Sequence, residues 1–241
     1  MSSTKHLLDR YLNDDYLTQN PTWDIEDSSW KANLVAKILR DNHIIPNTLA
    51  DVGCGAAQVL VELRRTYPQA ILEGYDISPD AEKFWAEARA VGIHLSVGSF
   101  FNAATPRYDV LLALDVIEHL QDPFDFLAQL QGRASHFVFH FPLDLSASSV
   151  LRESPLLHVR RKVGHVHYFT RSLALALLEE CGYCIVDARY TGAAFTSPQR
   201  GWKTRLAQLP RRLLFALHHD WGVRLLGGET LMVLATAKIS S

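Results

Sequence analysis

The sequence predicts a doubly wound α/β fold, with seven strands in a mostly parallel sheet and helices on both faces. From about residue 48 to residue 190, short apolar runs alternate with segments in which apolar residues recur at helical spacing. Strands and helices that alternate in this way pair in parallel through right-handed crossovers. At 241 residues and 48% hydrophobic, the chain is long enough for one such domain with extensions.

The predicted strands are short and apolar, and they lie at 48–52, 71–75, 94–97, 108–114, 136–141, 183–190 and 230–237. The fourth is apolar almost throughout, as expected of a central parallel strand. The predicted helices span 28–42, 58–66, 79–91, 123–131 and 171–181. Ser78 is the expected N-cap of the third helix, Thr170 caps the fifth, and Gly182 ends the fifth.

We divide the chain, as a single domain, into four parts. An N-terminal segment, 1–45, contains aromatic residues and a helix, and precedes a core over 46–190. A helical insertion over 191–229 separates the core from a last strand in 230–241. Tyr11, Tyr16 and Trp23 either close over a ligand and exclude water, or cover the sheet edge together with Trp30.

Composition narrows the class of protein. A net charge of -2 gives no global attraction to nucleic acid. Cys181 and Cys184 form a C-x-x-C at a turn, but without a second ligand pair they favour two small packed residues over a redox or zinc site. Residues 1–15 lack the apolar centre of a signal peptide, and no apolar run approaches the ~20 residues that span a bilayer. We therefore expect a cytoplasmic protein.

The insertion is basic and amphipathic. It fits an ordinary packed helical segment with a solvated face. It also fits a surface, over 200–224, that contacts an anionic membrane or holds an acidic or lipid-linked substrate. Its basic residues are Arg200, Lys203, Arg205, Arg211, Arg212 and Arg224.

Two motifs predict a ligand site at the carboxyl edge of the sheet. Asp51-Val52-Gly53-Cys54-Gly55 follows the first strand and precedes a helix, where glycines allow a sharp turn and a close backbone approach to a ligand. Asp76 ends the second strand, where a carboxylate can accept hydrogen bonds from ribose hydroxyls. The alternative for Asp76 is a solvated or helix-capping residue.

Four segments resemble, in order and spacing, the motifs of class I S-adenosylmethionine-dependent methyltransferases. The resemblance covers about residues 48–190 and predicts that family's seven-stranded sheet with an antiparallel last strand. The segments are Asp51-Val52-Gly53-Cys54-Gly55, Tyr75-Asp76-Ile77-Ser78, Gly98-Ser99-Phe100-Phe101 and Leu114-Asp115-Val116-Ile117-Glu118-His119-Leu120.

The resemblance implies S-adenosylmethionine as cofactor and gives each motif residue a role. Asp51, Gly53, Cys54 and Gly55 contact the methionine part or support the turn around it. Asp76 holds the ribose, and Ile77, Ser99 and Phe100 lie around the adenine. Leu114 and Asp115 lie near the methionine end. The sequence departs from the family at Ala57, where glycine is frequent, and at Ser99, where aspartate is frequent.

His119, His165 and His167 are the predicted catalytic residues, and the loop after the fifth strand, which includes Asp144, is the predicted acceptor region. A hydroxyl acceptor needs a base or a metal ion to remove its proton. His140 is a further candidate base. For Glu118-His119 three interpretations stay open: loop packing, a general base, or a metal site with Asp115. We assign no metal ligand.

By analogy with relatives of this motif type, the expected acceptor is a small molecule, an oxygen of a sugar, glycolipid intermediate or secondary metabolite. Three alternatives remain. An RNA methyltransferase needs a basic groove, which only 200–224 offers. A nicotinamide-dependent oxidoreductase needs glycine or alanine where Gln58 stands. A non-catalytic protein that binds S-adenosylmethionine fits the same motifs.

Overall fold

The computed structural model describes residues 15–23, 25–103, 106–196 and 214–238. Seven strands form one sheet in the order β3-β2-β1-β4-β5-β7-β6. The strand β7 runs antiparallel to both neighbours, and the other neighbouring strands are parallel. The predicted fold is therefore confirmed. The strands are β1 Thr48–Val52, β2 Ile71–Asp76, β3 His94–Val97, β4 Tyr108–Leu114, β5 Ala134–Leu143, β6 Tyr183–Tyr190 and β7 Glu229–Ala237.

Helices cover both faces of the sheet. They are α1 Asp15–Gln19, α2 Ser28–Asp41, α3 Gln58–Thr66, α4 Ala86–Ala90, α5 Pro123–Leu130, α6 Ala147–Arg152, α7 Ser154–Lys162, α8 Arg171–Glu180, α9 Ala193–Thr196 and α10 His219–Leu226. Short 3₁₀ segments occur at Ile25–Asp27, Pro79–Phe84, Phe100–Asn102 and Ile117–His119. No helix in the described part of the chain combines the length and the apolar composition needed to cross a membrane.

Two apolar layers enclose the sheet. On one face, Phe137 and Phe139 of β5 pack with the buried side of α8, represented by Leu178. On the other, Leu39 of α2 and Leu60 of α3 belong to a second buried cluster. Because both faces are covered, only the edges of the sheet remain open to a ligand.

The prediction of one continuous α-helix over 79–91 is wrong. The chain forms 3₁₀ turns over Pro79–Phe84 and then the short helix α4. The fully buried Trp85 separates the two, and its indole Nε1 donates to the carbonyl oxygen of Gly55 at 2.8 Å. Ser78 does not cap through its hydroxyl; instead its backbone N–H donates to Asp76 at 2.8 Å. Tertiary contacts of the glycine turn thus override local helix propensity.

Helices α6 and α7 lie in the region after β5 that the sequence predicts to be a loop, so that part of the prediction is wrong. The helix α7 has nine residues and none of them is buried, so it is too short for helical periodicity to be recognised from its sequence. The helix α6 begins at Ser146, which forms a reciprocal capping box with Ser149. The predicted cap at Thr170 is confirmed, since its hydroxyl accepts from the N–H of Leu173.

Several predictions on the insertion and the N-terminal segment fall on residues outside the described ranges. These are Tyr11 and the basic residues Arg200, Lys203, Arg205, Arg211 and Arg212. Arg224 lies in α10 and forms an ion pair with Asp220 at 2.9 Å. Cys54, Cys181 and Cys184 are free thiols.

Candidate active site

Two adjoining cavities lie where β1, β2 and β4 end. The first cavity, of about 480 Å³, is lined by Asp76, Ile77 and the 3₁₀ segment Phe100–Asn102, among others. The second cavity, of about 280 Å³, is lined by Asp51, Lys31 and Glu118, among others. Both are lined by Trp23, Gly53, Asp115 and His119, so the cavities form one continuous site.

The turn after β1 needs its glycines for conformation and for space. Gly53 and Gly55 have φ angles of +81° and +51°, which favour glycine. A Cβ on Gly53 would lie 2.5 Å from Cγ2 of Val116, and a Cβ on Gly55 would lie 2.7 Å from Nε1 of Trp23. Ala57, at φ +59°, adopts the same left-handed region without being glycine. Because Gly53 has no side chain, a ligand in either cavity can approach the backbone of this turn closely.

Asp76 fixes this turn to the end of β2. One carboxylate oxygen accepts from the N–H of Gly55 and the other from the N–H of Ser78, both at 2.8 Å. Burial raises the pKa of Asp76, and these two N–H groups counteract it. Each oxygen has a second lone pair, so the carboxylate can also accept hydrogen bonds from a ligand in the first cavity.

Asp51 is a buried carboxylate at the wall of the second cavity. Its Oδ1 has no hydrogen-bond partner. Burial, together with the nearby charge of Asp76, raises the pKa of Asp51 to about 7, and Lys31 opposes this increase. A buried carboxylate without a partner is stabilised by a ligand cation such as an ammonium group.

Asp115 connects four elements through a polar chain. Its carboxylate contacts Nζ of Lys31 on α2 at 2.7 Å and Nδ1 of His140 on β5 at 2.6 Å. Nε2 of His140 lies 2.7 Å from Oγ1 of Thr230 on β7. Although burial favours the neutral acid, His140 and Lys31 lower the pKa of Asp115 well below its usual range. Asp115 is thus ionised and holds Lys31 and His140 in place. It lies directly after β4 and has a φ angle of +53°.

Glu118, His119 and His165 form a cluster in the second cavity. The Glu118 side chain is completely buried, and neither of its oxygens has a hydrogen-bond partner. Its Oε1 lies 3.9 Å from Nε2 of both histidines. Burial, with Asp115 nearby, raises the pKa of Glu118 well above its usual range. On the far side of His165, Nδ1 lies 2.6 Å from Asp144 Oδ2.

Backbone hydrogen bonds bring the two halves of this cluster together. The carbonyl oxygen of Glu118 accepts from the N–H groups of Val166 and His167, at 2.8 and 3.1 Å. Nε2 of His167 lies 2.8 Å from the carbonyl oxygen of Leu120 and donates to it. His167 therefore holds the loop that carries His165, and it lines neither cavity.

The structure brings most of the predicted site residues to this edge of the sheet. Those that line the first cavity are Asp76, Ile77, Ser99 and Phe100, and those that line the second are Asp51, Cys54, Gly55, Leu114 and His165. Gly53, Asp115 and His119 line both. The Ser99 hydroxyl accepts from the N–H of Phe101 at 3.3 Å. Lys31 was missed, because nothing in a helical pattern distinguishes a lysine that turns into a site from one in solvent.

Comparisons with known proteins agree with this geometry. Residues 26–188 match the sequence model of a family described as a methyltransferase domain. A trans-aconitate 2-methyltransferase of Mycobacterium sp. (strain KMS) is 29% identical in an alignment of 170 positions that covers 65% of this chain. Relatives from strains JLS and MCS match to the same extent. The matched region spans 64% of the length of these relatives.

Solved structures share the fold across nearly the whole chain. A putative methyltransferase in complex with the Haloferax volcanii Trm112 activator has a TM-score of 0.63 and 17% identity, covering 99% of each chain. The plantazolicin methyltransferase in complex with SAH has a TM-score of 0.60 and 16% identity, covering 98% of this chain and 97% of that chain. The family match extends over more than half of the chain. The protein therefore belongs to the methyltransferase domain family.

Proposed function

We propose that this protein transfers a methyl group from S-adenosylmethionine to an oxygen of a small neutral acceptor, such as a sugar, a glycolipid intermediate or another secondary metabolite. The observation that carries the proposal is the continuity of the two cavities. One carboxylate, Asp76, lies along the first cavity, and another, Asp51, along the second. At the same site lies a cluster of one carboxyl and two imidazole groups.

The residues present fit the cofactor. Asp76 can accept from ribose hydroxyls while it holds the N–H of Gly55. The partnerless oxygen of Asp51 suits the amino group of the methionine part. Between Asp76 and Asp51, Gly53 has no side chain, so the cofactor can lie close to the backbone there. When bound, S-adenosylmethionine supplies an activated methyl group on a sulfonium sulfur.

The acceptor end supports an oxygen nucleophile with a proton to lose. A hydroxyl must be deprotonated as it attacks, and His119 and His165 are the described histidines that line the second cavity. Asp144 holds Nδ1 of His165, which directs Nε2 toward Glu118 and the cavity. We assign His167 a positioning role, since it binds the backbone of Leu120.

Charge supports a neutral acceptor. Four acidic side chains line the second cavity, Asp27, Asp51, Asp115 and Glu118, beside a single described lysine, Lys31. Lys31 is paired with Asp115, so the second cavity offers a negatively charged acceptor no other described lysine or arginine. A carboxylate acceptor is nevertheless the second candidate, because the matched relatives are named for trans-aconitate. It would need no base.

Methyl transfer from labelled S-adenosylmethionine to a panel of acceptors tests the proposal. The panel contains sugars, glycolipid intermediates, hydroxylated metabolites and trans-aconitate. We expect label in a methyl ether, and we expect His165→Ala to lower kcat by roughly 100-fold or more without changing cofactor affinity. His158→Ala, on the exposed side of α7, is the matched control. Label in trans-aconitate alone overturns the neutral acceptor, and cofactor binding without any product overturns the enzyme.

A further inference from the structure

We propose that Glu118, His119 and His165 bind a divalent transition-metal ion in the second cavity. This ligand set differs from the alternative considered on sequence, which joined Asp115 to Glu118 and His119. In the structure, Lys31 and His140 already hold both oxygens of Asp115. His165, from a loop distant in sequence, takes its place beside Glu118.

The spacing of the three side chains suits one ion. One ligand atom from each lies within 4.8 Å of the other two. Two of these separations, from Glu118 Oε1 to each imidazole Nε2, are 3.9 Å. With bonds of ~2.1 Å, ligand atoms in a tetrahedral site lie roughly 3.4 Å apart, so the ligand atoms need to approach one another by roughly 0.5 to 1.4 Å. Side-chain rotations can supply such movements.

The burial of Glu118 and its lack of hydrogen-bond partners favour a bound cation. A completely buried carboxyl with two partnerless oxygens is unfavourable when ionised and also unsatisfied when neutral. An ion between Glu118 and the two imidazoles gives the carboxylate its partner. Lys31, the described cation of the second cavity, has its Nζ 2.7 Å from Asp115.

Asp144 completes the arrangement that metal-binding histidines typically have. Its Oδ2 lies 2.6 Å from Nδ1 of His165. A carboxylate at this nitrogen fixes the proton on Nδ1 and leaves the lone pair of Nε2 for a metal ion. The Nε2 atom is the one that faces Glu118. The backbone hydrogen bonds from Val166 and His167 to Glu118 hold both segments in place.

The donor set indicates the kind of ion and its use. Two imidazoles and one carboxylate suit Zn²⁺, Mn²⁺ or Fe²⁺, whereas Mg²⁺ and Ca²⁺ prefer oxygen ligands. Three protein ligands leave a position open for an acceptor oxygen. This use of the ion rests on the proposed function. When bound, the ion would replace a histidine base, because His119 and His165 would be its ligands. It would lower the pKa of the acceptor hydroxyl, whose proton would leave to solvent. The oxygen then bonds to the methyl carbon as the carbon–sulfur bond breaks, giving a methyl ether and S-adenosylhomocysteine.

Calorimetric titration of the chelator-treated full chain with Zn²⁺ and with Mn²⁺, without S-adenosylmethionine, tests the site. We expect one ion per chain and far weaker binding of Mg²⁺. His165→Ala and Glu118→Gln should bind Zn²⁺ at least 100-fold more weakly, and Asp144→Asn roughly 10- to 100-fold more weakly. His158→Ala should bind as the wild type does. If Glu118→Gln does not fold, His119→Ala serves in its place.

Absence of Zn²⁺ and Mn²⁺ binding to the wild type, or equal binding by the variants, overturns the inference. The outcome is separable from that of the proposed function. Ion binding without a methylated product leaves the site standing while the function fails. Undiminished methyl transfer by metal-free protein leaves the function standing while the ion's role fails.

Discussion

The substitution Asp51→Asn should stabilise the ligand-free protein at neutral pH and weaken its binding of S-adenosylmethionine. Asp51 is buried, and its Oδ1 has no hydrogen-bond partner. Asparagine has nearly the same shape but carries no charge. The exchange therefore removes a carboxyl group whose ionisation the fold disfavours and which, in the proposed site, binds the amino group of S-adenosylmethionine.

The size of the effect follows from the pKa of Asp51. Burial, with the charge of Asp76 nearby, raises it from 3.8 to about 7 in the folded protein. Between these values the folded state keeps a proton that the unfolded state has lost, so the stability that Asp51 contributes falls as pH rises and levels off above about 7. At 1.36 kcal/mol per pH unit, the full loss is about 4 kcal/mol. Asparagine does not titrate, so the variant escapes this loss.

Urea unfolding of both proteins at pH 4.5 and at pH 8 measures this difference. The unfolding free energy of Asp51→Asn minus that of the wild type should be larger at pH 8 than at pH 4.5 by on the order of 3 kcal/mol. Glu180→Gln, an exposed exchange of the same kind on α8, should show no such gain. At pH 7.5, the variant should bind S-adenosylmethionine roughly 10-fold or more weakly, because a charged hydrogen bond contributes ~1.5–3 kcal/mol. A stability difference independent of pH, or an unchanged affinity, would refute the reasoning.

Three further substitutions test the turn and its support. Asp76→Asn should weaken cofactor binding at least ~10-fold in calorimetry, because the carboxylate holds the N–H of Gly55 and, in the proposed site, also the ribose; an equal Kd would contradict this. Gly53→Ala should lower the unfolding free energy by about 1 kcal/mol or more, because its Cβ would meet Val116 at 2.5 Å and φ is +81°; unchanged thermal unfolding would count against it. Ala57→Gly should be nearly neutral, since relief of a left-handed alanine, ~1 kcal/mol, offsets a lost buried methyl, ~0.8 kcal/mol. A change above about 1.5 kcal/mol in denaturant unfolding would show that one term dominates.

The sheet and the glycine turn could be predicted from sequence because their signals are local. The apolar run of β4 reflects the burial of that strand. Glycine at positions 53 and 55 reflects the positive φ angles of those two residues. The order of the strands then follows from crossover rules that apply to any alternating α/β chain. Even the antiparallel β7 followed from the family resemblance.

The polar partners could not be predicted, because tertiary contacts decide them. Lys31 pairs with Asp115 across 84 positions of the chain, and Asp144 meets His165 only because their segments fold against Glu118. His165 and His167 were also equally good candidates for a catalytic residue when judged from the sequence. The backbone bond of His167 to Leu120 places it outside the cavities, and no local pattern distinguishes the two histidines.

Calorimetric titration of the purified full chain with S-adenosylmethionine tests the central claim most directly. The claim is that the two cavities form one cofactor site between Asp76 and Asp51. It predicts saturable binding of one S-adenosylmethionine per chain, with NADH failing to compete. Absence of binding at millimolar S-adenosylmethionine would contradict it.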